Sequence, residues 1–77
     1  MSVQDKLVEV FVGVLGDECR SSITPDATME TVDGWDSMTF LNIILAIEQN
    51  FGISVGPNDA VQMTSVAQIV QLIEARR

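Results

Sequence analysis

Apolar residues recur at helical spacing in three stretches of the chain. Val3, Leu7, Val10 and Val14 line one side of a helix, and Phe11 widens that stripe. Ser2 followed by Asp5 is a start signal and Gly16 is a stop, so helix is predicted over about residues 2–15. Gly13 weakens its last turn. Residues 16–36 keep no period, which is long for a connection without structure of its own. Ile23, Met29, Val32 and Trp35 are expected to anchor this segment to the core, with a short helical turn around Thr28 to Val32. It reads as an ordered loop that positions whatever follows it.

The second helix is predicted over residues 37–51 and is ended by Gly52, with Asp36 or Ser37 as its cap. On a wheel its large apolar residues span roughly 220°, against the arc near 100° that packing by one face requires. Leu41, Ile44, Ile47 and Phe51 are assigned to the centre of the buried face. Met38 and Leu45 fall together at one rim, and the surplus apolar arc points to a contact surface or to deep burial. Ile53, Ser54 and Val55 follow as an extended piece, then the breaker pair Gly56-Pro57 opens a short helix through about Gln62. Ser65 and Gln68 form a capping box for the last helix. Val66, Ile69, Val70 and Ile73 supply its stripe, and Arg76 and Arg77 suit its negative end.

Composition narrows the setting. A chain of 77 residues buries only about 60% of its unfolded surface, so residues 1–77 are read as one small all-α domain of modest stability. Cys19 is the one cysteine, so no internal disulfide forms, and a small domain without staples fits a reducing compartment. There is no basic leader and no apolar run near the roughly 20 residues that span a bilayer, which makes the cytoplasm the expected location. The net charge of −7 repels nucleic acid and anionic membrane surfaces alike. A partner with a basic patch is steered inward instead. Asp17, Glu18, Asp26, Glu30, Asp33 and Asp36 all precede Ser37, and a solvated loop surface accounts for them as well.

The chain holds no histidine, which removes the ordinary general base and the commonest metal ligand. One cysteine cannot build a zinc site, no phosphate loop or dinucleotide fingerprint is present, and the acids do not follow the calcium-loop spacing. Catalysis by the chain alone is therefore not expected. What stands out is Ser37 in Asp33-Gly34-Trp35-Asp36-Ser37-Met38. A helix amino end stabilises a phosphate ester, so this serine is a candidate for modification, although serine at a helix start is most often just a cap.

With Asp36-Ser37-Met38 opening the second helix and Phe51-Gly52 closing it, the chain resembles the acyl carrier proteins and their peptidyl carrier relatives. The opening helix, the long loop, the short helix after Pro57 and the last helix near Ser65 extend the likeness over nearly the whole length. The resemblance implies a four-helix bundle in which Ser37 carries 4′-phosphopantetheine through a phosphodiester. A phosphopantetheinyl transferase installs it from coenzyme A with magnesium, and the arm's thiol holds cargo as a thioester. Cys19 is then not the carrier thiol but a semi-buried loop residue. The resemblance also implies a monomer that meets acyltransferase, ligase or synthase enzymes with basic or apolar docking patches. Asp36, Met38 and Leu45 match that contact surface by position. Leu41, Ile44, Ile47 and Phe51 match the core lining where acyl chains can fold in, though plain packing is the preferred reading for these four.

General fatty-acid carriers have several acids along the second helix. Here Thr39, Phe40 and Asn42 take the early positions and only Glu48 remains further on, so a specialised pathway such as polyketide assembly is expected, with Asp33 and Asp36 taking over part of the steering. Trp35 before Asp-Ser resembles free-standing carriers of such pathways, and a core-anchoring role fits it as well. An aminoacyl or peptidyl carrier of a nonribosomal peptide-type pathway is the alternative. Two other classes stay open. An unmodified interaction module predicts that Ser37→Ala is silent, and a minimal serine hydrolase predicts ester turnover by the purified chain.

Overall fold

The computed structural model describes residues 2–76. Four α-helices follow in order: α1 (Val3–Leu15), α2 (Ser37–Phe51), α3 (Pro57–Ala60) and α4 (Val66–Arg76). α1 is the hub and packs against both α2 and α4. Val3, Leu7 and Val10 of its stripe are buried as the spacing predicts, together with Phe11, while Val14 is only partly buried. The Ser2 hydroxyl accepts the Asp5 amide at 3.1 Å, and the Gly16 amide closes the far end on the Val12 carbonyl. The all-α architecture expected from the sequence is the one found.

The long connection differs from its expected form in two places. A 3-10 helix, Asp17–Ser22, packs on α1 and buries Cys19, which is more enclosed than a semi-buried loop thiol. Further on, Thr28 to Val32 make a hydrogen-bonded turn rather than a helix, with the Thr31 and Val32 amides both on the Thr28 carbonyl. This turn meets the start of α4. Met29 N–H donates to the Thr64 carbonyl at 3.1 Å and Val66 N–H to the Ala27 carbonyl at 2.9 Å, around a single antiparallel bridge between Thr28 and Ser65. One of the amides that every helix start leaves unsatisfied is thereby paired. Ile23, Val32 and Trp35 are buried as expected, while Met29 is only half-buried.

α4 begins on the predicted box with one change of partner. Gln68 N–H donates to Ser65 Oγ at 3.2 Å, but the Gln68 side chain reaches past Ser65 to accept the Thr64 amide. Val66, Ile69 and Ile73 are buried and Val70 is partly so. At the other end Arg76 donates to the Ser54 carbonyl at 2.9 Å and to Asp59 Oδ1 at 2.6 Å, tying α4 to the α2–α3 connection. Arg77, expected beside it, lies outside the described residues. α3 is shorter than predicted and relaxes into a turn at Val61 and Gln62. No helix among the described residues is long and apolar enough to cross a membrane.

The buried face of α2 is rotated from its expected setting. Ile43 and Ile47 are fully buried, Phe40, Ile44 and Phe51 are partly buried, and Leu41 is 64% exposed. An apolar arc wider than the packing face allows several rotations, and contacts outside the helix choose among them. Trp35 chooses here. Its ring stands edge-on to Phe11 of α1 at 4.9 Å and lies 6.4 Å from Phe40, which draws the Phe40–Ile43–Ile47 side inward and turns Leu41 out.

Candidate functional site

The start of α2 is built by the four residues before it. Gly34 takes φ 90°, a left-handed conformation that costs glycine nothing, and this lets Trp35 drop into the core at 3% exposure. The indole Nε1 is buried without a hydrogen-bond partner among the described residues. Such a donor costs about 1–3 kcal/mol, so the apolar contacts of the ring must outweigh it. Burial of Trp35 in turn fixes where Asp36 emerges.

Asp36, not Ser37, caps the helix. Its Oδ1 accepts the amides of Met38 at 3.1 Å and Thr39 at 2.9 Å. Thr39 answers by accepting the Asp36 amide on its hydroxyl at 2.9 Å, and that hydroxyl can donate to Asp36 Oδ1 or to the Gly34 carbonyl. The result is a capping box with threonine in the place usually held by Glu or Gln. Hydrogen bonds from the Thr39 backbone and hydroxyl, and a smaller one from the Met38 amide, hold the Asp36 carboxyl below the usual carboxylate range. It is a carboxylate at neutral pH.

Ser37 is the first residue of α2 and is exposed. Because Asp36 takes the cap, the serine hydroxyl forms no hydrogen bond among the described residues and points its chemistry to solvent unspent. Met38 beside it is 83% exposed, and Leu45, two turns on along the same side, is 56% exposed. Asp36, Ser37, Met38 and Leu45 thus share one accessible surface. Leu41 joins them there and is absent from the core lining in which its position placed it. The sequence signal that finds it is its i+3 spacing from Met38.

A phosphate ester needs a hydroxyl that is free, exposed and near positive potential, and Ser37 meets all three conditions at the amino end of a 15-residue helix. The rest of the molecule competes weakly for chemistry. The Cys19 thiol is pushed up in pKa, chiefly by burial, which makes it a poor nucleophile. No cluster of metal-ligating side chains occurs among the described residues. A surface hollow of about 440 Å³ lies on the Gly34 side of the site, lined by Leu15, Glu18, Cys19, Ser22, Asp33 and Gly34.

Comparison with known proteins agrees with this geometry. The family model described as the phosphopantetheine attachment site matches residues 5–73. An acyl carrier protein of Solidesulfovibrio magneticus is 32% identical over 77 residues, which cover 100% of this chain and 97% of the relative. An acyl carrier protein of Akkermansia muciniphila is 34% identical over 73 residues, covering 95% of this chain and 90% of the relative. With a match that runs from α1 to α4 and takes in the exposed serine, the chain belongs to the acyl carrier proteins, the family that bears phosphopantetheine.

Proposed function

We propose that Ser37 is the attachment residue and that residues 1–77 work as one discrete carrier domain, a substrate of other enzymes rather than a catalyst. The observation that carries this is the division of labour at the helix start: Asp36 satisfies the amides of Met38 and Thr39, which leaves the Ser37 hydroxyl free and exposed. In the transfer step Ser37 Oγ bonds to the pantetheine-side phosphorus of coenzyme A. The bond from that phosphorus to the adenosine bisphosphate breaks, and the hydroxyl proton passes to a base on the transferase. We assign that base to the transferase: the chain has no histidine, and the carboxylate next to Ser37, that of Asp36, accepts the amides of Met38 and Thr39. Once attached, the arm supplies a terminal thiol that holds an acyl group in thioester linkage. The chain's own part is to hold Ser37 on a rigid helix end, with the carboxylate of Asp36 committed to the cap.

The cargo belongs to specialised metabolism such as polyketide assembly. α2 supports this reading, since Glu48 is its one acid and Thr39, Phe40 and Asn42 stand in its first turns. Intact mass after incubation with coenzyme A, magnesium and a broad-specificity phosphopantetheinyl transferase tests the attachment. The expected outcome is a gain of one phosphopantetheine on the parent and none on Ser37→Ala. An unmodified parent that is demonstrably folded would remove the proposal. Loading trials then address the cargo: acyl groups accepted from acyltransferases or ligases support the polyketide reading, and cargo accepted only from an amino-acid adenylating enzyme sinks it.

A further inference from the structure

We infer that the surface hollow of about 440 Å³ on the Gly34 side of the site is the resting place of the pantetheine arm, which it receives as a neutral chain rich in hydrogen-bond donors. The inference rests on the carrier reading and adds a second contact between this chain and its arm. Reach, lining and charge lead to it.

The hollow is within reach of Ser37. Gly34 is part of its wall and stands three residues before the serine. Three residues span at most about 11 Å when extended, and the Asp36 amide donates back to the Gly34 carbonyl at 3.1 Å, which shortens the span. The arm is roughly as long as four extended residues, so it crosses this distance with length to spare. Tethering also presents it at an effective concentration on the order of 1 mM, where a site of modest affinity is enough.

Size and lining suit the arm. The volume falls in the range of about 300–1,000 Å³ typical of small-molecule sites. Leu15 and buried Cys19 give the hollow its apolar part, while Glu18, Ser22 and Asp33 are exposed and bring acceptor oxygens to it. The arm carries the complementary set: amide N–H groups and a hydroxyl to donate, with a dimethyl carbon and methylene links to lie on the apolar part.

Charge selects the arm over other occupants. Glu18 and Asp33 enter no ion pair among the described residues, and no basic side chain lines the hollow. Arg20, next to Cys19 in sequence, is drawn off to Glu9 and Asp17. Two carboxylates on one recess repel an anion, so the phosphate of the arm and any acidic cargo stay outside. A metal ion is not favoured either, since no cluster of metal-ligating side chains occurs among the described residues. Donors on a neutral amide chain satisfy both carboxylates without a cation. An arm laid here leaves the exposed side of α2 clear for an incoming enzyme.

Amide proton–nitrogen NMR spectra of the unmodified and the loaded protein test this, on samples whose intact mass shows full loading. Loading should shift the amides of Leu15, Glu18, Cys19 and Ser22, which are remote from Ser37 in sequence, and the arm's methyl groups should show nuclear Overhauser contacts to Leu15. Ser22→Phe, which fills the hollow, and Asp33→Ala, which removes an acceptor from its other wall, should each lose those shifts and contacts; thermal melts confirm that both variants fold. Shifts confined to Asp36, Ser37 and Met38 overturn the inference and leave the arm in solvent. Contacts from the arm to Leu41 or Val61 overturn it and place the arm on the other side of α2. Shifts at the hollow that persist in Ser22→Phe, or that magnesium alone produces in the unmodified parent, overturn it in favour of an indirect effect or a cation site. A parent that is never loaded removes the carrier reading itself, and the resting site falls with it; that failure shows in the mass, the others only in the spectra.

Discussion

Residues 16–36 and α2 meet at Asp36 and divide the work against intuition. The irregular segment contributes Cys19, Ile23, Ala27, Val32 and Trp35 to the core, none more than 7% exposed. The regular helix keeps three of its largest apolar residues in water. Regularity and burial are therefore separate properties here. The segment acts as a wedge of core that happens to lack a repeating backbone, and α2 acts as a two-sided strip with one face for packing and one for display. Ser37 sits where the two roles change over, held by the buried side and facing the open one.

The comparison breaks most decisively at Trp35. Trp35→Ala should cost about 3–5 kcal/mol, most of the stability expected of a domain this size, and urea denaturation would show it. A loss below about 1 kcal/mol would mean that the segment is not a structural wedge. Next in size is a paired test across α2. Ile43→Ala should cost about 2–5 kcal/mol, and Leu41→Ala, two positions away, should stay within about 0.5 kcal/mol of the parent. Equal costs would show that the helix has no display face.

The smallest expected effect is at the junction. Asp36 has a folded-state pKa below its unfolded one, so its contribution is complete above the ordinary carboxylate range and is lost as pH falls through the lowered value. Asp36→Asn retains a capping side chain and should flatten that part of the acid limb, whereas Asp36→Ala should also lower the neutral plateau by a few degrees in Tm. Urea midpoints from about pH 7 down to about pH 2 separate the two variants. Asp59 adds an acid limb of its own, because Arg76 holds its carboxyl low, and that limb should survive in both.

What the sequence made legible was whatever is decided locally. Ser2, Gly16, Gly52, Pro57 and the Ser65–Gln68 pair mark helix ends through contacts within four residues, and each boundary is where the pattern puts it or within a turn of it. Ser37 was legible as the candidate from its place at a helix start, and the family from the likeness of the whole pattern. The 3-10 helix at Asp17–Ser22 was not, because six residues with Cys19 alone buried carry no period. The rotation of α2 was not, because an arc of roughly 220° does not select a face until Trp35 and Phe11 are in place. The bond from Val55 to Glu48 crosses the Gly52 turn, and no spacing rule reaches that far.

The bridge between Thr28 and Ser65 has a consequence for how the molecule assembles. It joins two places separated by the whole of α2 and α3, so closing it costs chain entropy that only the docking of α4 can repay. The stretch ahead of Ser37 thus reaches its final fit only when the last helix has arrived. A nascent chain still lacking α4 would expose Ser37 on an unsettled support, and presentation of this serine is in that sense the final act of folding.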